Sequence, residues 1–124
     1  MTSIGNPRRM KTYTGQMGYV YQYYFVGKRP ALADAPEAPA TEYIFDVTPD
    51  RKTTYAVSIF LRDTALESWC RAHGRGLSET EQYAAAKMRL LRGFDEIESL
   101  KQDSRRLSVD AANIDELLAD LRLE

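Results

Sequence analysis

Two side chains that could react lie close together on a predicted helix. Cys70 and His73 are three residues apart, which places them on the same side of a helix, and such a pair can form a thiolate nucleophile. Catalysis of this kind also needs an orienting group and donors for an oxyanion, for which the sequence offers no motif. Both residues share an apolar stripe with Trp69, and cysteine is among the most buried residue types. We therefore expect both to pack in the interior, and we assign no catalytic residue.

Other motifs with a known chemistry are missing from the sequence. A single cysteine and a single histidine provide too few ligands for a metal site. The spacings GxSxG, HExxH and CxxC do not occur, and the glycines at 74–76 and 15–18 lack the strand–loop–helix context of a phosphate-binding loop. We therefore predict no metal and no cofactor, and we favour a non-enzymatic role.

Composition and charge are those of an ordinary globular protein. The chain has 124 residues, a hydrophobic fraction of 44% and a net charge of −1. Residues 1–30 carry five basic side chains and no acid, whereas residues 107–124 carry five acids and one arginine. No segment approaches the roughly 20 apolar residues that span a bilayer, and one cysteine suits a reducing compartment. We expect a cytoplasmic protein without membrane contact.

Aromatic and β-branched residues predict the first strand at 19–27. Its two faces consist of alternating residues, with Tyr19, Tyr21, Tyr23 and Phe25 on one side and Val20, Gln22, Tyr24 and Val26 on the other. Both faces are largely apolar. We therefore expect this strand to be central in its sheet or covered on both sides.

Two further strands, at 41–48 and 53–61, form a predicted hairpin. Apolar residues alternate with polar ones in both, as expected for strands with one buried face. The two apolar sets meet on one face only if odd-numbered residues oppose odd-numbered ones, as in Phe45 opposite Tyr55. The connection then holds an odd number of residues, either Pro49–Arg51 or Thr48–Lys52, and Pro49 followed by Asp50 suits a type I turn.

Three helices are predicted after the hairpin, at about 64–73, 79–102 and 109–122. Thr64 with Glu67, and Ser78 with Glu81, have the spacing of a capping box at the first two helix starts, and Asp63 is an alternative N-cap for the first. The long second helix carries one apolar stripe, formed by Tyr83, Ala86, Leu90, Phe94 and Ile97. The third helix is short and must dock on the domain or on a partner.

These elements define an α+β fold in which a three-stranded antiparallel sheet is followed by three helices. The first two helices are expected to cover one face of the sheet. We assign residues 18–124 to this single domain and residues 1–17 to a flexible basic arm. Three prolines among small residues make 28–40 a mobile loop within the domain.

Surplus apolar surface is the main functional indication in the sequence. A strand that is apolar on both faces, a striped helix and a leucine-rich terminal helix are more than so small a domain is expected to cover. We therefore predict a protein-interaction module or complex subunit that binds a partner protein or self-associates, most simply as a homodimer. The residues expected in this contact are Tyr19, Tyr21, Tyr23, Phe94, Ile97 and Leu121.

Two other functions remain open at this stage. A small nucleic-acid-binding regulator would stack bases on exposed tyrosines and contact phosphates through Arg8, Arg9, Lys11, Lys28 and Arg29. An enzyme or ligand-binding domain would instead have a pocket between sheet and helices, lined by Tyr55, Tyr83, His73 and Arg62.

Overall fold

Five strands form one curled sheet, with three helices packed against it. The structure is a computed structural model that describes residues 10–15, 18–96 and 105–119. The elements in chain order are β1 Lys11–Thr14, β2 Val20–Pro30, β3 Ala40–Thr48, β4 Tyr55–Arg62, α1 Asp63–His73, α2 Glu79–Glu96, β5 Arg106–Val109 and α3 Ile114–Ala119. The strands are neighbours in sequence order. β1 to β4 are antiparallel, and β5 runs parallel to β4.

The predicted three-stranded antiparallel sheet is therefore wrong, although the α+β class holds. One added strand is β1, which lies within the segment predicted as an arm and pairs from Lys11 opposite Tyr23 to Thr14 opposite Val20. The other is β5, where the sequence predicted a break between helices. A parallel partner for β4 requires a long crossover, and α1 with α2 supplies it.

In the hairpin of β3 and β4, odd-numbered residues oppose odd-numbered ones as predicted, but the pairing is shifted along the strands. Odd-numbered residues do face each other, yet Phe45 lies opposite Val57 and Tyr55 lies opposite Val47. The connection is longer than a tight turn. The Asp50 carboxylate accepts hydrogen bonds from the backbone N–H groups of Lys52 and Thr53, both at 2.8 Å. These bonds hold a wide loop that displaces the pairing by two residues.

Strand β2 continues further than predicted, through the start of the 28–40 segment. A β-bulge lies between Phe25 and Gly27, after which Lys28 pairs with Tyr43 and Arg29 with Glu42. The bulge adds one residue to β2. Lys28 consequently shares the face of odd-numbered Tyr43, and Arg29 lies on the opposite face.

The core lies between the helices and the face of the sheet that carries the odd-numbered residues of β3 and β4. Its fully buried side chains include Phe45, Val57, Ile59, Leu61, Leu90, Ile114 and Leu117. Trp69 of α1 is buried among them, as is Phe94 on the predicted stripe of α2. The stripe is thus confirmed from Ala86 to Phe94, while Ile97 and the rest of the helix predicted to 102 lie outside the described residues.

The starts of the helices differ in how they are capped. At α2, Ser78 N–H donates to Glu81 Oε1 at 2.9 Å and Glu81 N–H donates to Ser78 Oγ at 3.2 Å, so the predicted capping box is confirmed. At α1, the N-cap residue is Arg62 and no side chain caps the helix, so the box predicted from Thr64 is wrong. Strand β4 leads directly into α1, and the Asp63 N–H donates to the Pro39 carbonyl instead.

The last helix is shorter than the predicted 109–122. Val109 ends β5, and Asp110 Oδ1 then accepts the N–H groups of Ala112 and Asn113 in a turn that precedes α3. The predicted helix starts too early because this turn separates strand from helix. Residues 120–124 lie outside the described part of the chain.

Candidate interaction surface

The second face of the sheet, which we call the outer face, lies opposite the helices. On β2 it carries the even-numbered residues up to the bulge. Val20 is 48% exposed and Val26, in the bulge, is 36% exposed, and no described helix lies over them. Of the two alternatives expected for β2, an interior position in the sheet is confirmed, since β2 lies between β1 and β3, whereas cover on both faces does not hold for the described residues. Apolar side chains of a sheet that face solvent are candidates for a contact with another molecule.

The part of the outer face formed by β1, β2 and the middle of β3 contains neutral residues. We call it the neutral patch, and it consists of Met10, Thr12, Thr14, Val20, Gln22, Tyr24, Val26 and Ile44. Alternation along the strands places these side chains on one surface. Asp46 lies on the same face directly opposite Tyr24, and its Oδ2 accepts a hydrogen bond from the Tyr24 hydroxyl at 2.9 Å, which fixes the ring along the sheet. The patch is thus apolar and hydroxyl-rich, with charges at its margin.

Near Phe60 and Arg106 the outer face lies beneath the segment 31–39, whereas Ala56 of β4 is exposed. Glu37 in this segment accepts two hydrogen bonds from the Arg106 guanidinium, at 2.6 and 3.1 Å, and these bonds lower the pKa of Glu37. The same guanidinium lies 4.6 Å from the ring of Phe60, which is buried. Glu37 and Arg106 thereby shield Phe60 of β4 from solvent, and the exposed apolar surface does not extend to this residue.

A buried carboxylate marks the boundary between the covered and open parts. Glu42 accepts hydrogen bonds from Arg29 Nε at 2.9 Å and from Ser58 Oγ at 2.6 Å. Burial alone would raise the pKa of Glu42, but the hydrogen bonds from Arg29 and Ser58 hold it below its usual value. Glu42 therefore stays ionised with its carboxylate hydrogen-bonded, and the cluster links β2, β3 and β4.

Three of the residues predicted for a protein contact belong to the core. Tyr21, Tyr23 and Phe94 are buried, and the rings of Tyr21 and Phe94 stack with centroids 4.3 Å apart and planes at 5°. Tyr19 is 63% exposed, whereas Ile97 and Leu121 lie outside the described residues. The face of β2 that carries Tyr21 and Tyr23 therefore packs in the core, and the face that carries Val20 and Val26 is exposed to solvent.

The basic residues predicted to contact nucleic acid are dispersed. Lys11 is exposed beside the edge of the sheet. Lys28 pairs with Glu79 at 2.9 Å, and Arg29 pairs with Glu42 on the opposite face. Arg8 and Arg9 lie outside the described residues. Lys11 and Lys28 share the helix side of the sheet, whereas Arg29 lies on the outer face, so the three do not form one basic surface.

The Cys70 and His73 pair does not pack in the interior as predicted. Cys70 is exposed, and the His73 ring stacks on Trp69 with centroids 4.2 Å apart. His73 Nε2 lies 3.0 Å from Asp115 Oδ1, so the imidazole joins α1 to α3. Within the described ranges no three His, Cys, Asp or Glu side chains converge as metal ligands.

A contact that the sequence did not reveal joins β1 to α2. The Tyr13 hydroxyl donates to Asp95 Oδ2 at 2.6 Å. This hydrogen bond, with burial and the negative charge of Asp95, raises the pKa of Tyr13 to about 12. The two residues are 82 positions apart, and no spacing rule connects them.

No protein-family model matches the chain, and no curated protein or solved structure is significantly similar to it. None of the described helices is both long enough and apolar enough to cross a bilayer.

Proposed function

We propose that the protein is a non-enzymatic interaction module that self-associates as a homodimer through the neutral patch. The observation that supports this most directly is the exposure of Val20 and Val26 on a sheet face that no described helix covers. Burial of apolar side chains in a contact contributes about 25 cal/mol per Å² of apolar area removed from water. The neutral patch therefore provides a driving force for association that the single chain leaves unused.

The neutral character of the patch favours a second copy of the chain as the partner. In a twofold contact the same surface is present on both sides, so a charge near the axis meets its own like charge. Such a juxtaposition costs energy, and a neutral surface avoids it. Charged residues make up 28% of the chain, whereas the residues of the patch carry none, and the carboxylate beside them, Asp46, accepts a hydrogen bond from Tyr24.

A face-to-face packing of two sheets suits this surface. Sheets pack about 10 Å apart, with side chains from the two faces interdigitating. Val20, Tyr24 and Val26 lie along one strand and supply a row of side chains that can interdigitate with the same row of the second copy. The helices remain on the outside of the dimer in this arrangement, available for a further partner.

Light scattering coupled to size-exclusion chromatography tests the proposal at micromolar concentration. We expect the wild-type chain to elute with twice the chain mass of 14.1 kDa. The double variant Val20→Lys/Val26→Lys places lysines against each other across the axis and should elute as a monomer. Both positions are solvent-exposed in one chain, so the fold should tolerate the change.

A matched control separates this effect from the added charge. Ala72→Lys introduces the same kind of charge at an exposed position of α1, on the helical side of the molecule, and should leave the dimer intact. A monomeric wild-type chain would contradict the proposal. So would a dimer that survives the double variant, because its contact would then lie elsewhere.

The nucleic-acid alternative receives less support from the described geometry. Tyr21 and Tyr23 are buried and cannot stack on bases, and Lys28 and Arg29 are engaged with carboxylates. A mobility shift at low salt, with single- and double-stranded polymers, is its test, because phosphate contacts are strongly salt-dependent. We further propose a cytoplasmic location, since an exposed Cys70 is best preserved as a thiol in a reducing compartment.

A further inference from the structure

A cavity with aromatic walls lies between the sheet and the start of α2, on the side away from the neutral patch. We call it the aromatic pocket. Its volume is about 410 Å³ and it is lined by Phe25, Lys28, Tyr43, Glu79, Thr80 and Tyr83. The rings of Phe25 and Tyr83 meet edge to face, with centroids 5.1 Å apart, and Tyr83 lies 6.4 Å from Tyr43. The rings are inclined to each other by 72° and 54°, so a planar ring that enters meets both ring edges and ring faces.

One wall of the pocket carries a hydroxyl group without a partner. Tyr43 is 1% exposed, and none of the described residues forms a hydrogen bond with its buried hydroxyl. Burial raises the pKa of Tyr43, so the group stays protonated and available as a donor. Buried polar groups are nearly always satisfied, and an exception in a pocket wall points to an acceptor that comes from outside the chain.

The charges at the same pocket favour an anion. Lys28 Nζ lies 5.7 Å from the centre of the Tyr43 ring and pairs with Glu79 Oε1 at 2.9 Å. Glu79 and Thr80 are the first two residues of α2, where the helix dipole is positive. An ammonium group, a helix start and a phenol hydroxyl therefore converge on one side of an aromatic cavity.

The Glu79 carboxylate occupies the position beside Lys28 Nζ that such an anion would take. Its side chain is 85% exposed, and exposed ion pairs contribute little energy, so it can turn into solvent at small cost. Once it does, Lys28 is free to pair with another carboxylate. Lys28 lies over the Tyr43 ring, and the Tyr43 hydroxyl is buried, so binding also requires the Lys28 side chain to move aside.

We propose that the aromatic pocket binds a small aromatic carboxylate. The ligand carboxylate replaces Glu79 beside Lys28 and accepts the hydrogen bond of Tyr43. Its ring packs against Phe25 and Tyr83. The site is independent of the proposed dimer contact, which lies on the other face of the sheet.

Benzoate titrated into the ¹⁵N-labelled full chain, followed by amide chemical shifts, tests this proposal, with benzamide as the uncharged control ligand. We expect shifts around Lys28 and the start of α2 with benzoate, and much weaker ones with benzamide. Tyr43→Phe keeps the ring and removes the donor, and it should weaken benzoate binding about fivefold, the equivalent of one net hydrogen bond. Glu79→Gln removes the competing carboxylate and should tighten binding.

Glu67→Gln is the matched control, because it makes the same charge change at an exposed position of α1 and should leave benzoate affinity unchanged. Amide spectra of each variant verify the fold before titration. The proposal is overturned if benzoate causes no shifts at this pocket, or if benzamide binds as well as benzoate. It is equally overturned if Tyr43→Phe and Glu79→Gln leave the affinity unaltered.

Discussion

Tyr19 and Tyr21 are identical side chains two positions apart, and the fold uses them in opposite ways. Tyr21 is 8% exposed and stacks on Phe94, whereas Tyr19 is 63% exposed just before β2. We expect Tyr21→Ala to lower the free energy of unfolding by about 3–5 kcal/mol, as large-to-small core changes do. Tyr19→Ala should change it by less than about 0.5 kcal/mol. Urea denaturation measures both, and equal losses in the two variants would disprove the assigned burial.

Asp50 gives the hairpin loop a pH-dependent contribution to stability. Hydrogen bonds from the backbone N–H groups of Thr53 and Lys52 lower the pKa of its carboxyl from 3.8 to about 2. Because the folded-state pKa lies below the unfolded one, this contribution is complete above about pH 4 and disappears as the pH falls toward about 2. Asp50→Ala should therefore be less stable than wild type at neutral pH and nearly equal to it at about pH 2.

Urea denaturation of both proteins across this pH range measures the effect. Asp34→Ala, at an exposed position of the 31–39 segment, is the matched control and should show no such convergence. A stability difference between wild type and Asp50→Ala that is constant with pH would refute the role of the carboxylate.

At the scale of elements, the two helix starts form a natural pair for comparison. Ser78 caps α2 through a reciprocal pair of hydrogen bonds with Glu81, while Thr64 at the start of α1 has the same motif without the bonds. Ser78→Ala should lower the free energy of unfolding by about 1 kcal/mol, and Thr64→Ala should have little effect. Thermal or urea unfolding distinguishes them, and a larger loss for Thr64→Ala would contradict the capping described for α1.

The sequence reveals the long periodic elements and misses the short ones. β2, β3, β4 and the first two helices each carry several periods of an apolar pattern, and their described bounds lie within a few residues of the predicted ones; the predicted end of α2 lies outside the described residues. β1 and β5 have four residues each, too few for a pattern to stand out. Their pairing depends on the neighbouring strand and, for β5, on a crossover through two helices.

For the hairpin of β3 and β4, the exact register was harder to predict than which faces of the two strands match. The matching of faces follows from which residues are apolar, since a shift of the pairing by one residue would turn every buried side chain to solvent. A shift by two preserves the pattern, so only the loop determines it. Here the carboxylate of Asp50 binds two backbone N–H groups and fixes the wider loop, which the turn preferences of Pro49 did not indicate.

At the scale of the whole molecule, the sequence identified β2 as a strand with two apolar faces but did not show which face the helices cover. Both faces of β2 are apolar, and the sequence alone does not determine which face the helices cover. The choice depends on the long-range contact of Tyr21 with Phe94, whose residues are far apart in the chain. Only the folded arrangement leaves Val20 and Val26 open.

The opposite charges of the two chain ends are distributed into separate pairs across the fold. Lys28 pairs with Glu79 on α2, Arg92 of α2 pairs with Glu116, and His73 contacts Asp115. These pairs join neighbouring elements within one chain. These charges of the chain ends are thus engaged within one chain, and our proposal of self-association rests on the neutral patch instead.

Intermolecular contacts measured by isotope-filtered NMR test the central claim most directly. A dimer reconstituted from equal amounts of ¹³C-labelled and unlabelled chain gives nuclear Overhauser effects between copies only where the copies touch. We predict such signals at the methyl groups of Val20, Val26 and Ile44. Signals confined to side chains of α1, α2 or α3, or no intermolecular signals at millimolar concentration, would contradict the account.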